Sequence, residues 1–263
     1  MVELFDIQGT RGTLAVHRWS AGAPRYTVLL AHGYGEHAGR YQHVASRLVD
    51  DGAEVVAPDH LGHGRSDGER ALIVDIDDLV TDLQLVAERV VAPGQLLVLL
   101  GHSMGGVIAT RYAQRFPAGL SALVLSGPVI GGNPGLEALA EMDPIPDVPI
   151  DPAMLSRDPS VGAAYAADEL VYHGPFRRDT LRAIGASVAA LAAGPGLGAL
   201  PTLWVHGELD QLAPLEVTRG AVQRLRASDL TEHVYPGAQH EVFNEINGEQ
   251  VIDDVVAFLH TVV

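Results

Sequence analysis

Leu96-Leu97-Val98-Leu99-Leu100-Gly101-His102-Ser103-Met104-Gly105-Gly106 is an apolar run that stops abruptly in a serine fenced by glycines. Five aliphatic residues, opened by Pro93-Gly94 and closed by Gly101, describe a strand buried on both faces, as central strands of parallel sheets are. Helical spacing follows over 107–116 and ends at Pro117, which places Ser103 on a very tight strand-to-helix turn. Gly101 and Gly105 flank the serine in the pattern G-x-S-x-G. Small neighbours there let a strained backbone push the hydroxyl out above the sheet edge, the arrangement of a nucleophile elbow. A plain Gly-Ser turn would explain the glycines, but not the ordered succession of strand, turn and helix.

On the N-terminal side, 5–19 alternates apolar and polar residues around Gly9 and Gly12, the pattern of an antiparallel hairpin. A short buried strand over 26–31 runs into the Gly-rich turn His32-Gly33-Tyr34-Gly35-Glu36-His37 and then a helix from about 40 to 49. A strand at 55–57 precedes a helix over 75–90, with Ile76, Leu79, Val80, Leu83, Val86 and Val90 along one face. Beyond the elbow come strands at 120–126, 202–206 and 232–235, with helices at 214–226 and 248–260. This alternation predicts an α/β fold, a mostly parallel sheet with helices on both faces. From 128 to 201 the rhythm breaks into Pro, Gly and Ala, with weakly amphipathic pieces at 135–141 and 180–193. A structureless loop of that length is improbable, so 128–201 is expected to be a small helical lid inserted in one domain spanning 1–263.

The 263 residues, 47% of them hydrophobic, suffice for one sizeable core. Without cysteine, neither a disulfide framework nor a thiolate metal site nor a cysteine nucleophile is available. A formal charge of −16 argues against nucleic acid and against electrostatic docking on anionic lipid, while a neutral apolar substrate is indifferent to it. All seventeen basic residues are arginine. The start, Met1-Val2-Glu3-Leu4-Phe5-Asp6, has neither a basic segment nor the apolar stretch of a signal peptide, and no later segment approaches a membrane span. A cytoplasmic protein is the expectation.

An elbow serine needs a base, a carboxylate to orient the base, and donors for an oxyanion. The strand at 202–206 ends in Gly207-Glu208-Leu209-Asp210, which puts Asp210 just past the carboxyl end of a strand, where α/β sheets build their sites. The strand at 232–235 ends in Pro236-Gly237-Ala238-Gln239-His240. The chain order Ser103, Asp210, His240 matches the Ser, Asp, His order of α/β-hydrolases, with His240 as base and Asp210 fixing its tautomer. Glu208 is a competing acid. His17, His43, His233 and His260 are assigned to surfaces or local contacts, and Asp59 with His63 and Ser66 to loop scaffolding. For the oxyanion, the expected donors are the backbone N–H groups of Met104 and Tyr34.

Three blocks, His32-Gly33-Tyr34-Gly35-Glu36-His37-Ala38-Gly39-Arg40-Tyr41, Asp59-His60-Leu61-Gly62-His63-Gly64-Arg65-Ser66-Asp67-Gly68-Glu69-Arg70 and Gly101-His102-Ser103-Met104-Gly105-Gly106, together resemble the monoacylglycerol lipase branch of the α/β-hydrolases. Tyr235-Pro236-Gly237 and His240-Glu241-Val242-Phe243-Asn244-Glu245 are similar to its bacterial members especially. The resemblance implies hydrolysis of a single fatty acyl ester from glycerol through an acyl-enzyme on Ser103, with no metal or organic cofactor. Its partner is then a lipid ester, with transient lipid-surface contact through the lid. It also matches Glu36 and Arg40 to the polar end of the substrate pocket, with an ion pair bracing the oxyanion loop as the other reading. Tyr165 matches a tyrosine that meets the glycerol head. Tyr34 stands where a small residue is common, and Phe243 where a polar one can occur, so both are expected to alter the pocket wall. The apolar pieces 136–139 and 181–197 could line an acyl tunnel, touch lipid or simply pack. Other readings are a carboxylesterase for short esters, a lysophospholipase, an aminopeptidase using acid near Glu36, and a non-catalytic binding protein.

Overall fold

In the computed structural model, residues 2–225 and 227–263 are described. Eight strands carry the fold: β1 (Val2–Gln8), β2 (Thr13–Trp19), β3 (Tyr26–Ala31), β4 (Ala53–Pro58), β5 (Leu96–His102), β6 (Leu120–Ser126), β7 (Thr202–Gly207) and β8 (Leu230–Tyr235). They form one sheet in the order β1-β2-β4-β3-β5-β6-β7-β8. β2 runs antiparallel to both β1 and β4, and every other pairing is parallel. The elbow strand β5 lies in the interior of the sheet between β3 and β6, which is why its sequence is aliphatic without alternation.

The pleat of β5 divides its side chains between two cores. Leu97 and Leu99 pack with α2 (Ile76–Val90) and α3 (Met104–Arg115), whereas Val98 and Leu100 pack with α1 (Gln42–Asp50) and α8 (Gly248–Val262). A helix begins directly at Met104, earlier than its apolar spacing suggests, because Gly105 and Gly106 carry no periodic signal. The segment joining β6 to β7 contains α4 (Pro134–Glu141), a 3-10 turn at Pro152–Met154, α5 (Pro159–Ala167) and α6 (Arg178–Ala193). α5 was not foreseen: its apolar residues mark no face, and its signal is instead the Asp158-Pro159 start, where the Asp158 carboxylate caps the N–H of Ser160. α7 (Leu215–Arg224) covers the sheet beside β7, and the expected helix end at Arg226 lies outside the described residues.

Contacts on several sides tie the 128–201 segment to the body, among them those of Thr180, Tyr172 and Asp168. Thr180 Oγ1 is buried and donates to the carbonyl of Ala71 at 2.8 Å while accepting from the N–H of Ile73 at 2.8 Å. The Tyr172 N–H donates to the carbonyl of Gly35 at 2.7 Å, at a backbone φ of +77° that glycine adopts freely. His37 Nε2 donates to Asp168 Oδ2 at 2.9 Å, its Nδ1 being held as the acceptor of the Gly39 N–H. Among the described residues, no helix is long and apolar enough to cross a membrane.

Candidate active site

Ser103 occupies the single position between β5 and α3, with φ 55° and ψ −118°, a left-handed conformation unfavourable for a residue with a side chain. The surroundings over-determine it. Its N–H donates to Ser126 O at 3.0 Å, and its carbonyl accepts from Gly106 at 2.9 Å and Val129 at 3.2 Å. A Cβ on Gly105 would collide with the carbonyl of Ala31, and one on Gly101 with the backbone of Gly105. Only glycines let helix and strands close this tightly around the serine.

Asp210 follows β7 and His240 follows β8, and both are buried. The Asp210 carboxylate is fully committed: Oδ1 accepts the N–H groups of Leu212 (2.9 Å) and Ala213 (2.8 Å), and Oδ2 lies 2.8 Å from His240 Nδ1. That bond assigns the imidazole proton to Nδ1 and leaves the Nε2 lone pair available. Burial opposes an imidazolium at His240, but the charge and hydrogen bond of Asp210, with Glu241 and Glu36 beyond, outweigh it and raise the imidazole above its ordinary value. Asp210 is held below its ordinary value: burial pushes it up, and His240, His206 and the Ala213 N–H pull it further down. Glu208, the competing acid, is exposed and accepts the Gly237 N–H at 2.8 Å, so the structure pairs His240 with Asp210 instead.

His206 was missed from sequence. Trp204 Nε1 donates to its Nδ1 at 3.0 Å, so the ring proton sits on Nε2, which donates to the Ala213 carbonyl at 2.7 Å and lies 3.5 Å from Asp210 Oδ2. His206 thus holds the carbonyl of the residue whose N–H holds Asp210. Burial keeps it neutral by lowering its affinity for a proton. A histidine closing an otherwise apolar strand, four residues before the acid, was the available signal.

The Gly-rich turn after β3 faces Ser103. Glu36 Oε1 accepts the N–H of Gly33 at 2.7 Å and the hydroxyl of Tyr41 at 2.6 Å, which fixes the turn from behind. Met104 is the first residue of α3, where the helix supplies no acceptor for its N–H. Tyr34, Met104, Ser103 and His240 line one cleft.

Two chemically distinct clusters are among the lining residues. In the polar cluster, Arg40 Nη1 donates to Glu36 Oε2 and to Glu241 Oε1, both at 2.7 Å, while Nη2 donates to Glu241 Oε2 at 2.8 Å. The Arg40 guanidinium lies 5.1 Å from the centre of the Tyr165 ring, a cation–π contact. Burial would raise Glu241, but Arg40 dominates and holds it down at about 2, with help from Asn244. Arg40 is correspondingly raised. Glu36 and Arg40 therefore form the bracing ion pair, with a second carboxylate that sequence reading did not include. Leu136, Leu181, Ile184 and Phe176 supply apolar lining, with the Tyr34 ring stacked on Phe176 at 5.4 Å.

Phe243 needs correction: it is buried in the core against α8 and does not line the cleft, because the 3-10 turn Val242–Asn244 aims it inward. Of the apolar piece 181–197, Leu181 and Ile184 line the cleft, while Leu191 and Leu197 belong to the core under the sheet. Asp59 does scaffold its loop, accepting from Ala38 N–H and Arg65 N–H at 2.8 Å each, with Ser66 Oγ donating to its carbonyl at 2.6 Å. His17, His43, His233 and His260 make contacts away from the cleft, with Asp59, the Phe243 carbonyl, Asp254 and Asp51 respectively. Among the described residues, no group of three or more His, Asp or Glu side chains is placed to hold a metal ion.

Residues 22–247 match the family model described as serine aminopeptidase, S33. The chain is 42% identical over 250 residues to a monoacylglycerol lipase of Mycolicibacterium smegmatis, covering 90% of this chain and 88% of that protein. It is 32% identical to the human monoglyceride lipase, over 86% of this chain and 78% of that one. Among solved structures, the monoacylglycerol lipase of Paleococcus ferrophilus superposes with a TM-score of 0.82 at 26% identity, covering 99% of this chain and 100% of that one. The chain is a serine ester hydrolase of the α/β-hydrolase fold, and it belongs to the branch of that superfamily that holds the monoacylglycerol lipases.

Proposed function

We propose that this enzyme hydrolyses monoacylglycerols to fatty acid and glycerol, with Ser103 as nucleophile, His240 as general base and Asp210 orienting the base. The observation that carries the reading is that Ser103 and His240 line one cleft together with an apolar cluster around Leu136, Phe176 and Leu181 and a small polar cluster of Glu36, Arg40 and Glu241. The acyl chain occupies the Leu136 and Leu181 side, and the glycerol head faces Tyr165, Arg40 and Glu36. Ser103 Oγ attacks the ester carbonyl as His240 Nε2 takes its proton, and the N–H groups of Tyr34 and Met104 receive the developing oxyanion. The proton then passes from His240 to the departing glycerol oxygen. Water, deprotonated by the same base, releases the fatty acid from Ser103.

A neutral head group suits the polar cluster better than a charged one. Arg40, the one cation among the lining residues, is already shared by two carboxylates, which leaves no positive charge for a lysophospholipid. The same pairing occupies Glu36 and Glu241, so neither carboxylate is available for the amine of a peptide. We assign 128–201 the role of lid, since it supplies Leu136, Tyr165 and Leu181 to the cleft, and transient lipid-surface contact would pass through it.

The test compares kcat/KM for monoacylglycerols, a triacylglycerol, a lysophospholipid and short p-nitrophenyl esters, with Ser103→Ala as blank. Monoacylglycerols should exceed triacylglycerol by a wide margin; comparable rates on the two would sink the assignment, and turnover of short esters alone would favour a general carboxylesterase. The pH profile is a second test. His240 acts as base only when neutral, and its environment favours the imidazolium, so kcat/KM should rise with pH through a midpoint above the ordinary 6.5. A midpoint at or below that value would mean that burial outweighs Asp210 at His240, and loss of the rise with pH in the residual activity of His240→Ala checks that this group is the base.

A further inference from the structure

α6 presents two adjacent stripes. Thr180, Ala183, Ser187 and Leu191 are buried, with Ala183 and Leu191 packed into the main core, whereas Leu181, Ile184 and Gly185 line the cleft, with Leu136 of α4 also in the wall. The spacing i, i+3, i+4 makes the second stripe one continuous surface. Two of its residues are large and branched, and the third is glycine.

Nothing in the backbone requires that glycine. Gly185 sits inside a helix, without a positive φ, where glycine is a poor helix former beside alanine. Nor does packing require it, since a Cβ built on Gly185 meets nothing within 4 Å. Gly106 in α3 is the contrast, because a Cβ there runs into Pro128. What Gly185 does is leave a notch in an aliphatic wall, on the cleft that also holds Ser103.

We propose that Gly185 determines which acyl lengths the enzyme accepts, the chain esterified to Ser103 running past this notch between α4 and α6. The inference rests on the acyl-ester reading of the cleft. A side chain at position 185 would fill the space that the distal methylenes need and leave the reacting carbon untouched.

The experiment measures kcat/KM for Gly185→Ala, Gly185→Leu and Gly185→Phe on p-nitrophenyl esters of increasing acyl length and on monoacylglycerols of the same lengths. With Leu or Phe, the ratio of kcat/KM for the longest ester the parent accepts to that for the butyrate ester should fall about tenfold or more. Gly185→Ala should keep or raise Tm and shift the long-to-short ratio in the same direction by less. An equal change at every length, or no change in that ratio, overturns the proposal. If the larger variants fail to fold, the alanine variant still decides it through that ratio. A parent that does not favour monoacylglycerols overturns the substrate assignment alone, because the p-nitrophenyl series still reads acyl length.

Discussion

Asp210→Asn should leave the fold intact and lower kcat by about 10,000-fold, or about 5 kcal/mol of transition-state stabilisation. The reason is the fixed polarity of the sites around this carboxylate. Oδ1 accepts two backbone N–H groups, from Leu212 and Ala213, so the amide oxygen of an asparagine must take that place. Its NH2 group then points at His240 Nδ1, where Asp210 Oδ2 now stands at 2.8 Å. A donor there forces the imidazole proton onto Nε2, and the ring can no longer take a proton from Ser103. Kinetics with a p-nitrophenyl ester, alongside a thermal melt matching that of the parent, separates this effect from misfolding. Glu208→Gln is the control: an exposed group bonded to Gly237 should change kcat by less than about twofold. If Asp210→Asn lost less than tenfold, the orienting role would belong elsewhere.

The elbow could be read from the sequence because its parts are local: an aliphatic run, glycines at fixed offsets from Ser103, and a helix that follows at once. Asp210 and His240 could be read for a related reason, since each lies in the loop that leaves a strand's carboxyl end and chain order is preserved whatever the packing. The supports of those residues were hidden because they depend on pairings over long distances in the chain. Glu241 reads as an ordinary carboxylate until Arg40, 201 positions away, is seen to grip it. Glu245 is similar: its carboxylate is buried and accepts from the N–H of Gln239 at 2.7 Å and from Arg157 Nε at 2.9 Å, which fixes the loop carrying His240. Phe243 was misplaced because sequence puts it near His240 without saying which way a 3-10 turn would face it.

Arg40→Met should destabilise the fold by about 3–5 kcal/mol, the range for breaking a buried ion cluster by removing one partner. At about 2–4 °C per kcal/mol for a chain of this size, Tm falls by about 6–20 °C. The loss comes from the carboxylates left behind, Glu36 and Glu241, whose side chains are 5% and 6% exposed. Acidification gives a test of sign. In the parent, Glu241 is depressed to about 2, so its contribution is full above the ordinary 4.5 and fades only as pH falls towards 2. In Arg40→Met the buried Glu241 carboxyl loses the guanidinium that holds it down and burial raises it, so its folded form is favoured at low pH and penalised as pH rises. The Tm gap between variant and parent should therefore narrow from pH 7 to pH 5, a comparison in which the rest of the protein's titration cancels. Adding Glu36→Gln and Glu241→Gln to Arg40→Met removes the orphaned charges and should recover most of the lost Tm. Activity should not recover with it, because the Arg40 guanidinium joins the turn bearing Tyr34 to the loop bearing His240, and a methionine has no donor to restore that joint. Recovery of both Tm and kcat in the triple variant would mean that the cluster supplies only stability, and that the two loops hold their catalytic spacing without it.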